Sequence, residues 1–328
     1  MLQIGHLVFR DKPLFLAPME DVTDPSFRRL CRNYGADMVY TEFVSSDALV
    51  RDVVRAQKKL IIHDDEKPAA IQIYGHVVEA MAESAKMSSS TNADILDINC
   101  GCPVKKIAAR GAGAGLLNNI PLMLAITDAV VKSSTLPVTV KTRLGWDDEH
   151  KDIVQIAEQL QDKGIRAITI HGRTRAQLYR GAADWSLIGE VKHNPRMKIP
   201  VIGNGDIVSP EGAAIAFEKF GVDAIMIGRG AIGRPWIFRQ IRHYLDTGEL
   251  LADPPLSEKV QLAKEHFALS LESKGVPRGV FEMRRHFINY FKGLPFFKDF
   301  RLRLVTSLDV EEIFRLLNEI NNRYADSD

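Results

Sequence analysis

Pro200-Val201-Ile202-Gly203-Asn204-Gly205-Asp206 and Ala224-Ile225-Met226-Ile227-Gly228-Arg229-Gly230 have the same form: a short β-branched apolar run that breaks into a glycine loop bearing a polar side chain. A run of this kind, bounded by turn residues, reads as a buried strand. Between the two lies Pro210–Phe220, an amphipathic stretch with Ser209 and Pro210 at its start. That punctuation belongs to a helix. Strand, helix and strand in this order make a parallel crossover unit. Upstream the alternation continues through Leu14–Ala17, Met38–Thr41, Ala69–Ile73, Ile95–Ile98, Val138–Lys141 and Ala167–Ile170, with helical patterns such as Pro25–Asn33, Val77–Ser88, Leu122–Ser133 and Asp152–Lys163 between them. Eight such units in the first 246 residues match an α/β fold of the closed (β/α)8 type, a TIM barrel. An open doubly wound sheet would show a glycine-rich first turn. Here the first turn reads Ala17-Pro18-Met19.

Leu2–Phe9, ahead of the first strand, predicts a hairpin that closes the barrel bottom. After Leu245 the strand pattern stops, and Thr247–Pro255, with one glycine and two prolines, reads as a boundary. The expected organisation is a barrel over 1–246 and a C-terminal helical domain over 255–328, with helices at Glu258–Ser273, Gly279–Phe291 and Val310–Tyr324. A chain of 328 residues, 45% hydrophobic and with both charge signs mixed, fits a globular protein of this size. No apolar run reaches membrane-spanning length, and Met1–Arg10 does not read as a secretion signal. Three cysteines, two of them too close for an easy disulfide, fit a reducing cytoplasm. The net charge of +1 hides an asymmetry: Lys274 to Arg303 holds eight basic residues against two acids, whereas Asp309 onward holds six acids against two arginines.

Barrels of this class carry their chemistry at the C-terminal strand ends. Those positions hold Pro18 and Met19, Glu42, Gln72, Asn99, Lys141 with Arg143, His171, Asn204 with Asp206, and Gly228 with Arg229. The last two loops fall where such barrels bind phosphate; their glycines let backbone N–H groups approach an anion and Arg229 adds a donor fork. Lys141 has three readings: a Schiff-base amine, a counter-charge for an anionic ring, or an ion-pair partner of Glu42 or Asp97. Gln72 and Asn99 suit the edge of a heterocycle. Phosphate clamp, amide pair and lysine together point to flavin mononucleotide.

The fourth strand runs into Asp97-Ile98-Asn99-Cys100-Gly101-Cys102-Pro103, followed by Lys105, Lys106, Arg110 and glycines at 111, 113 and 115. Glycine and proline predict a mobile, non-helical loop. A C-x-C pair with no second pair and no H-x-H lacks zinc-ligand spacing, so no metal is expected. Cys102 is open to three readings: a nucleophile if His171 lies beside it, an acid with a near-normal thiol pKa, or an inert thiol.

With these residues in place the sequence resembles the tRNA-dihydrouridine synthases, and among them the bacterial B-type subgroup. The resemblance spans nearly the whole chain. It rests on Ala17-Pro18-Met19 with Val22-Thr23-Asp24 and Phe27-Arg28, on Gln72-Ile73-Tyr74-Gly75, on Asp97 through Lys106, and on Gly113-Ala114-Gly115-Leu116-Leu117. It continues in Val140-Lys141-Thr142-Arg143-Leu144-Gly145, His171-Gly172-Arg173-Thr174-Arg175, Asn204-Gly205-Asp206 and Met226-Ile227-Gly228-Arg229-Gly230. The resemblance implies FMN at the barrel mouth, NADPH as external reductant and reduction of the C5–C6 bond of a uridine in the D-loop of tRNA. It implies that Cys102 is the proton donor, that Pro18, Met19, Gln72, Lys141, His171, Asn204, Gly205, Asp206, Gly228 and Arg229 hold the flavin, and that Asn99 and Arg143 contact uracil. Two departures stand out. Glu20-Asp21 replaces residues that are often small in the family, which adds Glu20 to the flavin set, and Cys100 replaces a larger apolar residue.

A uridine in folded tRNA must leave its stack to reach such a site, so phosphate contacts are expected around the mouth. The candidates are Lys105, Lys106 and Arg110, then Arg173 and Arg175, and in the helical domain Arg284, Arg285, Lys292, Lys298, Arg301 and Arg303. Interleaved phenylalanines, Phe281 to Phe300, are expected in the helical core. A monomer with tRNA as partner, and no protein partner or membrane, is the expectation. Competing readings are an FMN oxidoreductase acting on a free pyrimidine, a Schiff-base aldolase using Lys141, and a non-catalytic tRNA-binding protein. A basic helical domain disfavours the first of these, and a yellow protein would disfavour the second.

Overall fold

A computed structural model describes residues 1–324; positions 325–328, the end of the expected helical domain, lie outside the described residues. The strands are β1 (Leu2–Ile4), β2 (Leu7–Phe9), β3 (Leu14–Leu16), β4 (Val39–Tyr40), β5 (Val44–Ser45), β6 (Ala69–Tyr74), β7 (Ile95–Asn99), β8 (Val138–Arg143), β9 (Ala167–His171), β10 (Val201–Asn204) and β11 (Ala224–Ile227). Eight of them pair in parallel in the order β4-β6-β7-β8-β9-β10-β11-β3. A parallel bridge between Phe15 and Met38 closes the ring, with Leu16 N–H donating to Met38 O at 2.9 Å. The run Met38–Thr41 narrows to two strand residues, and β5 adds a short ninth strand on the far half of β6, pairing Val44 with Ile73.

The barrel interior is a packed layer, as burial of alternate strand residues requires. Phe15, Tyr40, Ala70, Ile95, Ala167, Ile202, Ala224 and Met226 form one cluster with Leu2, Ile4 and Phe9 of the β1–β2 hairpin. The hairpin therefore stops the barrel bottom, as expected. It sits flush because Gly5 lacks a side chain: a Cβ there would lie 2.2 Å from Pro137 Cγ, just before β8. The outer helices are capped in the expected way. Asp24 accepts from Phe27 N–H ahead of Pro25–Asn33, Ser209 accepts from Gly212 N–H ahead of Pro210–Phe220, and Gly221 ends the latter at φ 65°.

Beyond the helix Ile237–Thr247 four helices follow: Leu256–Lys274, Arg278–Tyr290, Lys298–Thr306 and Val310–Arg323. The third has no counterpart in the sequence reading. It buries only Phe300 and Leu304, too few apolar positions to mark a helical period. These helices share a second core that includes Phe267, Phe287, Phe291, Leu316 and Ile320, and Leu30 and Trp236 from the barrel helices join it. The two parts are tied together by Phe27, whose ring lies 5.5 Å from His266 and 4.7 Å from His286, and by a buried ion pair of 2.5 Å between Asp24 and Lys274. Among the described residues no helix is long and apolar enough to cross a membrane.

Candidate active site

The C-terminal ends of the barrel strands surround a cavity of about 660 Å³, a size suited to a cofactor-sized ligand. Pro18, Met19, Glu20, Gln72, Lys141, His171, Asn204, Gly205, Asp206, Gly228 and Arg229 all line it, and so do Asn99, Cys102 and Arg143. Residues at or just past the end of every barrel strand thus reach one space, Phe43 standing for β4. Lys105, Lys106, Arg173, Arg175, Arg284 and Arg285 stand outside the lining.

The floor is an ordered chain of amides. Asp97, fully buried in β7, accepts from Gln72 Nε2 at 2.7 Å and from Thr139 Oγ1 at 2.6 Å. A carboxylate only accepts, so Gln72 must point its Nε2 inward and its Oε1 outward. That Oε1 accepts from Asn99 Nδ2 at 2.8 Å, which leaves Asn99 Oδ1 to accept from the backbone N–H groups of Gly101 (3.0 Å) and Cys102 (2.9 Å). Burial raises the Asp97 pKa to about 6 despite these donors. Next to it, burial and the nearby Arg143 guanidinium draw the Lys141 amine down to about 8. Lys141 Nζ donates to Asn204 Oδ1 at 3.0 Å rather than pairing with Glu42 or Asp97, and Asn204 Nδ2 donates to Met226 O at 2.7 Å.

On another wall the two glycine loops stand side by side at the ends of the paired strands β10 and β11. Gly205 has φ 131°, and a Cβ there would come within 2.7 Å of Ala183 Cβ, so only glycine fits without movement. A Cβ at Gly228 would stand 3.6 Å from both Ala17 and Met19. Arg229 is exposed and lies with its guanidinium 4.9 Å from the Tyr179 ring and its Nη2 3.1 Å from Asp206. His171 accepts at Nε2 from Arg173 Nη1 at 3.3 Å; a guanidinium can only donate, so the ring is neutral with its proton on Nδ1. Burial and four surrounding cations push its pKa far down, which agrees.

Two expectations need correction here. Arg173 is not a phosphate contact: it is buried, binds Asp206 through both Nη atoms at 2.9 and 2.6 Å, and donates to the carbonyls of Arg180 and Gly181. Its role is to hold the Asp206 carboxylate that in turn steers Arg229. The cysteine loop is not a mobile coil either. Lys105–Ala108 is helical, Gly113–Asn118 is a 3-10 turn, and Ala114 N–H donates to Cys102 O at 3.0 Å. Cys102 is 9% exposed, at the cavity wall, while Cys100 is fully buried. Burial raises the Cys102 pKa, opposed by the Val104 N–H and by Arg143 and Lys141, so the thiol keeps its proton near neutrality. Arg143 donates through Nε to Gly101 O at 2.7 Å and through Nη1 to the carbonyls of Thr174 and Leu178, which fixes its plane over the same loop.

Around the mouth, Glu20 pairs with Lys59, which also lies 3.7 Å from Glu42. Glu20, Asp21 and Glu42 bring ligand atoms within 4.8 Å of one another, and Lys59 offsets their charge. Lys105 and Lys106 are exposed at the rim. Arg175 stacks 4.5 Å from the Trp146 ring, and Arg284 lies over Phe281 and near the carbonyls of Thr306 and Ser307. Arg285 reaches back to Glu20 O at 3.5 Å. Lys274, counted with the basic segment, is buried between Asp24 and Glu282 and is not free for a phosphate. Most phenylalanines of that segment are core, but Phe281 and Phe296 are exposed. The sequence reading missed Tyr179, which sits in an irregular loop with no periodic signal, and gave Asp97 no positioning role. An acid inside the apolar run Ile95–Ile98 was the available signal for it.

A family model described as "Dihydrouridine synthase (Dus)" matches residues 15–323. The "tRNA-dihydrouridine synthase B" of Pseudomonas aeruginosa is 44% identical over 301 residues, covering 92% of this chain and 90% of that protein. A "Probable tRNA-dihydrouridine synthase" of Rickettsia conorii is 42% identical over 302 residues, with 92% and 90% coverage. Among solved structures, morphinone reductase in complex with tetrahydroNAD superposes with TM-score 0.55 at 14% identity, over 79% of this chain and 92% of that one. 2-Naphthoyl-CoA reductase gives TM-score 0.58 at 13% identity over 74% of this chain, which spans about half (51%) of that protein. At such identities the structural likeness speaks for the barrel fold alone.

Proposed function

The chain belongs to the dihydrouridine synthase family, and from that premise we propose that it reduces the C5–C6 double bond of a uridine in the D-loop of tRNA, with FMN as cofactor and NADPH as reductant. The observation that carries the reading is one cavity lined at once by a cysteine thiol, two ordered amides, a lysine and a glycine cradle. The donor set fits a flavin. Gly205, Gly228 and Arg229 would take its phosphate, Gln72 and Lys141 would meet the polar edge of its ring, and Pro18 and Met19 would pack on its apolar face. When bound and reduced by NADPH, FMN would supply the hydride for C6.

The other steps belong to the chain's own side chains. Asn99 and Arg143 orient the pyrimidine beside Cys102, whose raised pKa keeps a proton available at neutral pH. The thiol delivers that proton to C5 as charge develops there, and Arg143 and Lys141 favour the thiolate left behind. Glu20, with Lys59, sets the charge at the mouth. Lys105, Lys106, Arg285 and the free cations of the helical part (255–328) meet RNA phosphates, while the barrel (1–246) holds the cofactor. The protein works in the cytoplasm as a monomer, one tRNA at a time.

The test is direct. Purified protein should be yellow and release FMN on denaturation. With NADPH and tRNA it should form dihydrouridine, mapped to the D-loop by mass spectrometry, faster than with NADH. A colourless protein would refute the flavin reading. Equal NADPH consumption with free uracil would favour the small-molecule alternative.

A further inference from the structure

Phe296 is 87% exposed, the most exposed aromatic ring in the helical core region, and it sits at φ 52° in the left-handed region that a bulky residue avoids. Its neighbours hold it there. Tyr324 Oη donates to Pro295 O at 2.7 Å on one side, and on the other Phe297 is buried with its ring 5.6 Å from Phe291 and 6.0 Å from Phe300. Folding thus gains nothing from this ring and bears a strained backbone to present it. A conformation kept against its local preference calls for a use outside the fold.

The surroundings say what kind of use. Lys292, Lys298 and Arg301 are exposed around a groove of about 660 Å³ whose floor includes Leu294 and Phe297, and among the described residues none of the three has an acidic partner. Asp299 is the one exposed acid within the segment Lys292–Arg301. The helix Arg278–Tyr290 links this groove to the barrel mouth, through Asn289 at the one and Arg285 at the other. Arg285 and Asn289 lie one turn apart on Arg278–Tyr290; Arg285 touches Glu20 O, and a Cβ on the buried Gly233 would meet Asn289 Cβ at 2.6 Å.

We propose that Phe296 is a stacking platform for one unpaired base of the RNA substrate, and that Lys292, Lys298 and Arg301 hold the phosphates on either side of that base. Phe296 stands beside the groove, next to its lining residue Phe297 and within five residues of all three cations, and an exposed π face near unpaired cations is the chemistry of an unstacked nucleotide; a duplex would bury its base faces. This deepens the proposed function and rests on its RNA reading.

Full-length, flavin-loaded Phe296→Ala and Phe296→Trp are compared with wild type for tRNA affinity by anisotropy at fixed salt, for NADPH oxidation without tRNA, and for thermal melting. Phe296→Ala should raise the Kd about 5- to 150-fold, the range of one base–aromatic stack. Phe296→Trp should stay within about twofold of wild type, and flavin content, melting and tRNA-free NADPH oxidation should not change. Lys298→Ala should flatten the salt dependence of binding by about one unit. If wild type binds and modifies tRNA but Phe296→Ala does so equally well, the platform is refuted while the proposed function stands. If wild type binds no tRNA, both fail. If Phe296→Ala instead abolishes concentration-dependent self-association and leaves tRNA affinity intact, the groove joins two copies of the chain and the proposal is wrong.

Discussion

Asp97→Asn should make the protein more stable above pH 6 and erase part of its pH dependence. The wild-type carboxyl moves from an ordinary 3.8 to about 6 on folding, because burial outweighs the Gln72 and Thr139 bonds. A raised acid binds more protons folded than unfolded between those values, so its contribution to stability is greatest below about pH 4 and declines as pH rises to about 6. A shift of roughly two units corresponds to about 3 kcal/mol by pH 7, to order of magnitude. Asparagine has the same shape and no charge. Its Oδ1 can still accept from Gln72 while its amide donates to a turned Thr139 hydroxyl, so the amide order down to Cys102 survives. Weaker neutral hydrogen bonds cost about 1 kcal/mol of the gain, leaving a net increase of about 1–2 kcal/mol. Asp97→Ala should do the opposite, because it leaves Gln72 Nε2 and Thr139 Oγ1 unpaired in a dry site at about 1–3 kcal/mol each and frees Gln72 to rotate. Urea melts of all three proteins from pH 4 to 8, with dihydrouridine formation measured alongside, are the assay. Asp97→Asn should keep turnover within about tenfold, and Asp97→Ala should not. A wild-type minus Asp97→Asn difference that stays flat from pH 4 to 7, or an Asp97→Asn protein less stable than wild type at pH 7.5, would refute the reasoning.

Arg173→Ala should weaken flavin retention through the loss of Asp206 and Arg229 positioning, yet leave the salt dependence of tRNA binding unchanged, which equilibrium dialysis and salt titration can separate. Lys105→Ala with Lys106→Ala should do the reverse, lowering the salt slope by about two while the flavin spectrum stays as it was. Because burial raises the Cys102 pKa, the rate at which tRNA reoxidises the reduced enzyme should hold level through pH 8 and fall only above the ordinary thiol range; a fall between pH 6 and 7.5 would contradict the assignment.

The barrel and its cavity were legible because glycine, proline and β-branched runs punctuate a chain locally. The loops at Gly203–Asp206 and Gly228–Gly230 could be placed on one rim from strand count alone. What stayed hidden depended on partners far away in sequence. Arg173 reads as a free cation until Asp206, from the next strand's loop, closes on it. Lys274 reads the same way until folding brings up Asp24 from the first barrel helix. The Cys102 loop looks mobile by composition, but the Asn99 side chain pins it, and the direction of that amide is set by Asp97 through Gln72. Phe296 was counted toward a core by type, whereas a left-handed backbone turns it out to solvent.

The most direct test of the central claim replaces the sulfur. Cys102→Ala, loaded with flavin and reduced by NADPH, is mixed with tRNA lacking dihydrouridine in a single turnover. Flavin reduction and tRNA affinity should match wild type, while reoxidation by tRNA and dihydrouridine formation should slow by about 10²–10⁴-fold, the usual worth of a positioned acid. A variant that forms dihydrouridine within a few fold of the wild-type rate would mean that the proton reaches C5 from another group.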